Sequence, residues 1–298
     1  MYQRILATIS RFFYFLNFRG STRIFNVVFK LLPLKRITIK HPLGFFWALD
    51  SRESLSTYLT SCEKFTTKVV SDLARDLNFV VCVGANRGWY PLLVSELRSD
   101  IEIHAYEPNS LTYSMLENNM EFNHSQVTLH KIGVGSSNRV SEIFGYSNAN
   151  DGMATLYPTN WFDTKFEKLE QIEIRTLDSE RVNWSVPVGL SLIQMDIEGG
   201  EYEALVGGRK FLEENSPIVI CEVNPVLLES AGRLPSELFE FMESLEYKIY
   251  WIDERGGLFS QIAKNPCRHL QFLPPGSGSN YIFLQESHRS NISFKLNC

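Results

Sequence analysis

The chain has 298 residues, 44% of them hydrophobic and 13% aromatic, which supports a large buried core and excludes a disordered protein. Its formal charge of −5 is unevenly placed: Arg4, Arg11, Arg19, Arg23, Lys30, Lys35, Arg36 and Lys40 precede the first acid, Asp50, leaving 21 basic against 34 acidic residues from position 41 onward. A body that acidic argues against a nucleic-acid surface, and the cysteines (Cys62, Cys82, Cys221, Cys267, Cys298), with no Cys-x-x-Cys pair, suit a reducing cytosol better than a disulfide scaffold or zinc site.

Residues 4–19, RILATISRFFYFLNFR, place Ile5, Ile9, Phe12, Phe13 and Leu16 on one helical face, with Arg4, Thr8 and Arg11 opposite. Arg11 interrupts the apolar run, no small-residue cleavage site follows, and the stretch is too short to span a bilayer. Two readings stand for this amphipathic helix. It docks on its own domain or a second subunit, or residues 1–20 make peripheral contact with an anionic membrane surface. Residues 1–75 are read as a helical, basic extension and residues 76–298 as the main domain.

From residue 78 the apolar runs NFVVCVG, IEIHAYEP, VTLHKIGVG, LSLIQMDIEG and SPIVICEVNP appear in turn. Helical spacing follows several of them, over residues 91–97, 110–120, 201–214 and 235–245. Repeated strand-then-helix units predict an α/β fold with a mostly parallel sheet and helices on both faces. An insertion at about residues 136–187 carries the short β-like runs VSEIFGY, MATLYP and EQIEIRTL, and is placed to cap a ligand cleft. Its Tyr157 and Trp161 either stack on a sugar ring or pack the insertion onto the sheet. The last runs, YKIYWIDE and NYIFLQES, lack a crossover helix between them and predict an antiparallel hairpin.

The stretch VVCVGANRGWYPL, residues 80–92, runs an apolar strand into a glycine loop. A dinucleotide fingerprint needs a third glycine where Trp89 stands, and a phosphate loop needs Gly-Lys-Ser/Thr, which is absent. Asn86 is able to take the left-handed turn of a middle glycine. Glu107 closes the second strand 23 residues after Gly84, where a carboxylate accepts ribose hydroxyls. A glycine loop without phosphate ligands, joined to a ribose carboxylate, suits S-adenosylmethionine, whose tail is zwitterionic.

In MDIEGGE, Asp196 and Glu198 share one side of a strand end, and Glu201 opens the next helix, where an acid is favourable whatever the function. Asp196 is the leading base candidate and Glu222, ending the fifth strand, the second. His104 and His130 read as strand residues without partners, His41 and His269 as surface loop residues. No spacing reads as a metal site.

CVGANRGWYPL, AYEPNSLTYSMLENN, TLDSE, SLIQMDIEGGEYEALVGG and PIVICEVNP, in this order, resemble the FkbM family of S-adenosylmethionine-dependent methyltransferases over about residues 78–225. The resemblance implies a class I methyltransferase (Rossmann-like) fold with seven strands, the last two a hairpin, and O-methylation, often of sugar or polyketide hydroxyls. It implies that Gly84, Ala85, Asn86 and Gly88 surround the methionine part and that Glu107 holds the ribose. Pro108 and Asn109 would shape the adenine side, Ile132 and Gly133 would flank the adenine, and Asp196 with Glu198 would face the methyl group and acceptor. The family usually has an acid at the position of Cys82, often a lysine at Gln194 and often a threonine at Pro91. The missing acid keeps open a rival reading, a catalytically silent relative serving as a binding or scaffold protein.

Overall fold

The computed structural model describes residues 37–60, 62–146, 154–159, 166–254, 259–262 and 277–288; the N-terminal amphipathic segment, Trp161 and His269 lie outside them. The chain opens with a hairpin of β1 (Ile37–Lys40) and β2 (Phe46–Leu49), followed by α1 (Arg52–Thr60) and α2 (Lys64–Leu73). Alternation then begins as expected, through β3 (Leu77–Val83), α3 (Trp89–Leu97), β4 (Glu102–Tyr106), α4 (Ser110–Asn123) and β5 (Thr128–His130). The insertion holds β7 (Arg139–Tyr146) and β8 (Phe166–Arg175), which with the preceding β6 (Gly133–Val134) form a small separate sheet. A short helix, α5 (Leu177–Glu180), leads into β9 (Leu190–Met195). Next come α6 (Glu201–Gly207), α7 (Arg209–Asn215), β10 (Ile218–Val223), α8 (Pro225–Ser230) and α9 (Pro235–Ser244). The last strands are β11 (Lys248–Ile252), β12 (Phe259–Ile262) and β13 (Ser279–Leu284).

The large sheet runs in the spatial order β12-β11-β13-β10-β9-β3-β4-β5. Pairing is parallel from β10 through β9, β3 and β4 to β5, whereas β13 lies antiparallel between β10 and β11. The seven strands expected are all present. An eighth, β12, extends the edge antiparallel to β11 and has no counterpart in the sequence reading. Strand order reverses between β3 and β9, the position where open α/β sheets bind ligands.

Continuous apolar runs are what strands covered on both faces require. Val80 and Cys82 pack with Leu92 and Trp89 on one face of the sheet. On the other, Phe79, Val81 and Val83 pack with Leu205, Phe211 and Leu238. The helical stretch expected over residues 201–214 is split after Gly207, because Gly207 and Gly208 in succession are poor helix formers. Among the described residues no helix is long and apolar enough to cross a membrane.

Residues 37–49 form a β-hairpin where the sequence reading expects a helical extension, and Phe45, Trp47, Tyr58 and Val70 share one core with Val80 and Cys82. Trp89 makes that junction. Its ring meets those of His41, Phe45 and Trp47 edge-on at 5.0, 5.1 and 5.3 Å, and its Nε1 donates to Thr67 Oγ1 at 2.9 Å. His41 is therefore a core residue and not the surface residue expected. Its Nδ1 accepts from Leu43 N, its Nε2 lies 3.1 Å from Tyr58 O, and burial lowers its pKa to about 4.

Replacing Trp89 with alanine removes the ring that ties the hairpin to the sheet. Urea unfolding of Trp89→Ala is expected to show a loss of about 3–5 kcal/mol, with a smaller loss for Trp89→Phe; equal stability of both variants and the parent contradicts this packing.

Candidate active site

The site forms where β3 and β9 end side by side. Asp196 N donates to Val83 O at 3.1 Å, and Gly84 N and Ala85 N both donate to Tyr106 O, at 3.0 and 2.9 Å. Gly84 has φ +74°, and a Cβ there would lie 1.9 Å from Asp196 O, so only glycine fits. Asn86 takes the left-handed conformation expected of it, with φ +49°. Arg87, which the sequence reading passed over, is buried and paired with Asp50 and Glu53, anchoring the loop to the N-terminal segment.

Glu107 ties the loops after β3 and β4 together: its two oxygens accept from Asn86 N and Asn109 N, each at 3.0 Å. Burial pushes its pKa up to about 7, against the pull of those two hydrogen bonds. Each carboxylate oxygen retains a further lone-pair position for a ligand hydroxyl. Asn109 uses its side chain to cap α4, accepting from Thr112 N at 3.0 Å.

Two cavities meet at this point. One is an apolar cleft in which Pro108, Ile132 and Gly133 face Leu156, Ile172 and Ile174 of the insertion. The other, of about 400 Å³, is lined by Trp47, Thr57, Cys62, Tyr90 and Gln194 on the side of the N-terminal hairpin and helices. Gly84, Asn86, Asp196 and Glu198 line both. The insertion covers the first cavity: Thr155 Oγ1 donates to Glu198 O at 2.7 Å, and Ser110 N donates to Glu170 Oε1 at 2.6 Å. Tyr157 lines neither cavity and hydrogen-bonds Arg139 instead.

Carboxylates dominate the electrostatics. Asp196 opens into the cleft yet is flanked by protein on most sides, and this partial desolvation, then the Glu201 charge, pushes its pKa up to about 7. Glu198, in a left-handed turn, is raised well above the carboxylate range by burial and by Asp196. Glu222 lines neither cavity; burial and the charges of Asp196 and Glu198 raise it likewise. Glu201 turns back on its own loop, accepting from Ile197 N at 3.0 Å and Gly199 N at 3.1 Å. Glu63, unforeseen in the sequence, accepts from Tyr90 OH at 3.1 Å and from Asn280, and burial with the nearby Asp196 charge pushes its pKa up to about 7.

The strand histidines do have partners, because the parallel pairing of β4 and β5 sets them diagonally across from each other on one face. His104 Nδ1 lies 2.8 Å from His130 Nε2, and His104 Nε2 lies 2.6 Å from Glu102 Oε1. His130 stacks on Tyr106 at 4.2 Å, and Tyr106 forms part of the apolar cleft. Burial and the neighbouring His104 lower the His130 pKa to about 4.

Cys82 is buried and stands opposite Gln194 in the β3–β9 register. Two of the three positions that depart from the family pattern are thus cross-strand neighbours, a thiol and an amide where the pattern has an acid and often a lysine. Both charges are missing together, so neither strand buries an unpaired ion.

A sequence model described as the Methyltransferase FkbM domain matches residues 83–249, more than half of the chain. Among solved structures, the chain is similar to the methyltransferase FkbM from Methylobacillus flagellatus KT, at 19% identity and a TM-score of 0.42, covering 78% of this chain and 53% of that one. It is also similar to M. jannaschii TYW2 in complex with AdoMet, at 12% identity and a TM-score of 0.40, covering 85% and 86% of the two chains. This chain spans about half the length of the first of these proteins. No curated protein matches it.

The raised carboxyls carry a pH signature. Glu63, Glu107 and Asp196 have folded pKa values of about 7, above their unfolded values, so their contribution to stability is present below the ordinary carboxylate pKa and lost as pH rises through about 7. His41 and His130, lowered to about 4, act in the opposite sense only as pH falls from 6.5 towards 4. The ligand-free protein is therefore expected to lose melting temperature between pH 6.5 and 8 at fixed ionic strength, and Glu63→Gln to flatten the loss. A calorimetric melting temperature that holds or rises across that window contradicts the assignment.

Proposed function

The chain belongs to the FkbM family of S-adenosylmethionine-dependent methyltransferases, and from that premise we propose that it methylates a hydroxyl of a sugar, glycan or secondary metabolite, with Asp196 as general base. The observation that carries this reading is the position of the Asp196 carboxylate, which opens where the two cavities meet. In this reading the apolar walls of Ile132 and Ile174 hold the adenine, Glu107 accepts the ribose hydroxyls, and the loop of Gly84 and Asn86 lets the amino-acid end pass towards the second cavity.

The cofactor supplies a methyl group already activated on a sulfonium, so the protein's tasks are alignment and proton removal. An aliphatic hydroxyl attacks well only as its proton leaves. Asp196, with its pKa near 7, is poised to take that proton at neutral pH. The charge of Glu201 helps to hold that pKa up. Glu201 fixes the loop that carries Glu198.

Asp196→Asn keeps the shape of the side chain and removes the base. Transfer of a radiolabelled methyl group to extracted glycans and small metabolites is expected to fall by about 10²- to 10⁴-fold, with cofactor affinity within a few-fold of the parent. Full transfer by Asp196→Asn refutes the base assignment. A parent chain that binds the cofactor and transfers nothing favours the silent-relative reading, which rests on Cys82.

A further inference from the structure

Gln194 is the residue the site described so far leaves without a task. It lies in the middle of the buried sheet, only 4% exposed, and its Oε1 has no hydrogen-bond partner among the described residues. Native proteins rarely leave a buried carbonyl oxygen without a donor. This one lines the 400 Å³ cavity together with Asp196 and Glu198. An acceptor grouped with two carboxylates calls for a donor that also carries positive charge. An ammonium group is a donor of that kind.

The cavity's other walls suit a particular ammonium. It opens on the loop of Gly84 and Asn86, which it shares with the nucleoside cleft, so a ligand lying in the cleft reaches it directly. Trp89 and Tyr90 offer apolar surface for a short aliphatic chain. Resting on the methyltransferase reading above, which directs the amino-acid end of S-adenosylmethionine to this cavity, we propose that Gln194 Oε1 accepts a hydrogen bond from its α-ammonium. Gln194 then supplies the acceptor from β9, and the thiol of Cys82 opposite it is tolerated.

The test pairs a ligand change with a residue change. Calorimetry on the full chain compares S-adenosylhomocysteine with its deaminated analogue, which keeps the nucleoside and the carboxylate. The parent chain is expected to bind the deaminated analogue about ten- to a hundredfold more weakly. Gln194→Met, of similar shape but without an acceptor, is expected to lose about that factor for S-adenosylhomocysteine and nothing for the analogue, while Gln194→Glu keeps the preference. Equal affinity of the parent chain for the two ligands overturns the proposal, even should Gln194→Met fail to fold. So does a Gln194→Met chain that weakens both ligands alike. Failure of the parent chain to bind either nucleoside overturns the methyltransferase reading itself, a different outcome.

Discussion

At the carboxyl ends of β3 and β9 the backbone of Gly84 and the carbonyl of Asp196 meet so closely that a methyl group at position 84 would lie 1.9 Å from the oxygen. Much of the site follows from this contact. It demands glycine at 84, with the left-handed turn that carries the chain out of the strand, and a second left-handed residue, Asn86, completes the loop. It lies at the point where strand order reverses, so the cleft that opens there is the natural binding place of the fold. It also divides that opening into an apolar side, walled by the insertion, and a second side, walled by the N-terminal hairpin and helices. Asp196 belongs to both.

The charge arrangement becomes intelligible on the same footing. Asp196, Glu198, Glu222 and Glu63 crowd one end of the sheet, each raised first by burial and then by a neighbouring carboxylate. In a ligand-free protein such crowding opposes folding at neutral pH. A cofactor that brings a sulfonium and an ammonium relieves it, so binding energy and the ionised state of the base are coupled. The neutral pair of Cys82 and Gln194 fits this economy of charge, since the sheet below the site carries no ion of either sign at that level.

How much was legible in the sequence depended on whether the signal was local. Gly84, Asn86, Glu107 and Asp196 stood out because strand ends, left-handed turns and lone acids leave marks within a few residues. The apolar runs of β3, β9 and β10 marked a sheet covered on both faces. By contrast, β1 and β2 are four residues each, too short to show a period, and β12 is no longer. The histidine pair was missed because β4–β5 register, and not sequence spacing, brings His104 to His130. Glu63 and Asn280 were missed for the same reason: they meet only once the chain is folded. Trp89 was legible as an obstacle to a dinucleotide but not as the ring that locks the hairpin to the sheet.

The central claim is that this cluster of raised carboxyls awaits a cationic nucleoside. Titration of the full chain with S-adenosylmethionine at pH 7, repeated in buffers of different ionisation enthalpy, tests it most directly. The account predicts saturable binding accompanied by net release of protons as the carboxyls ionise around the cofactor. Absence of binding at millimolar cofactor, or binding with no proton release, would contradict it.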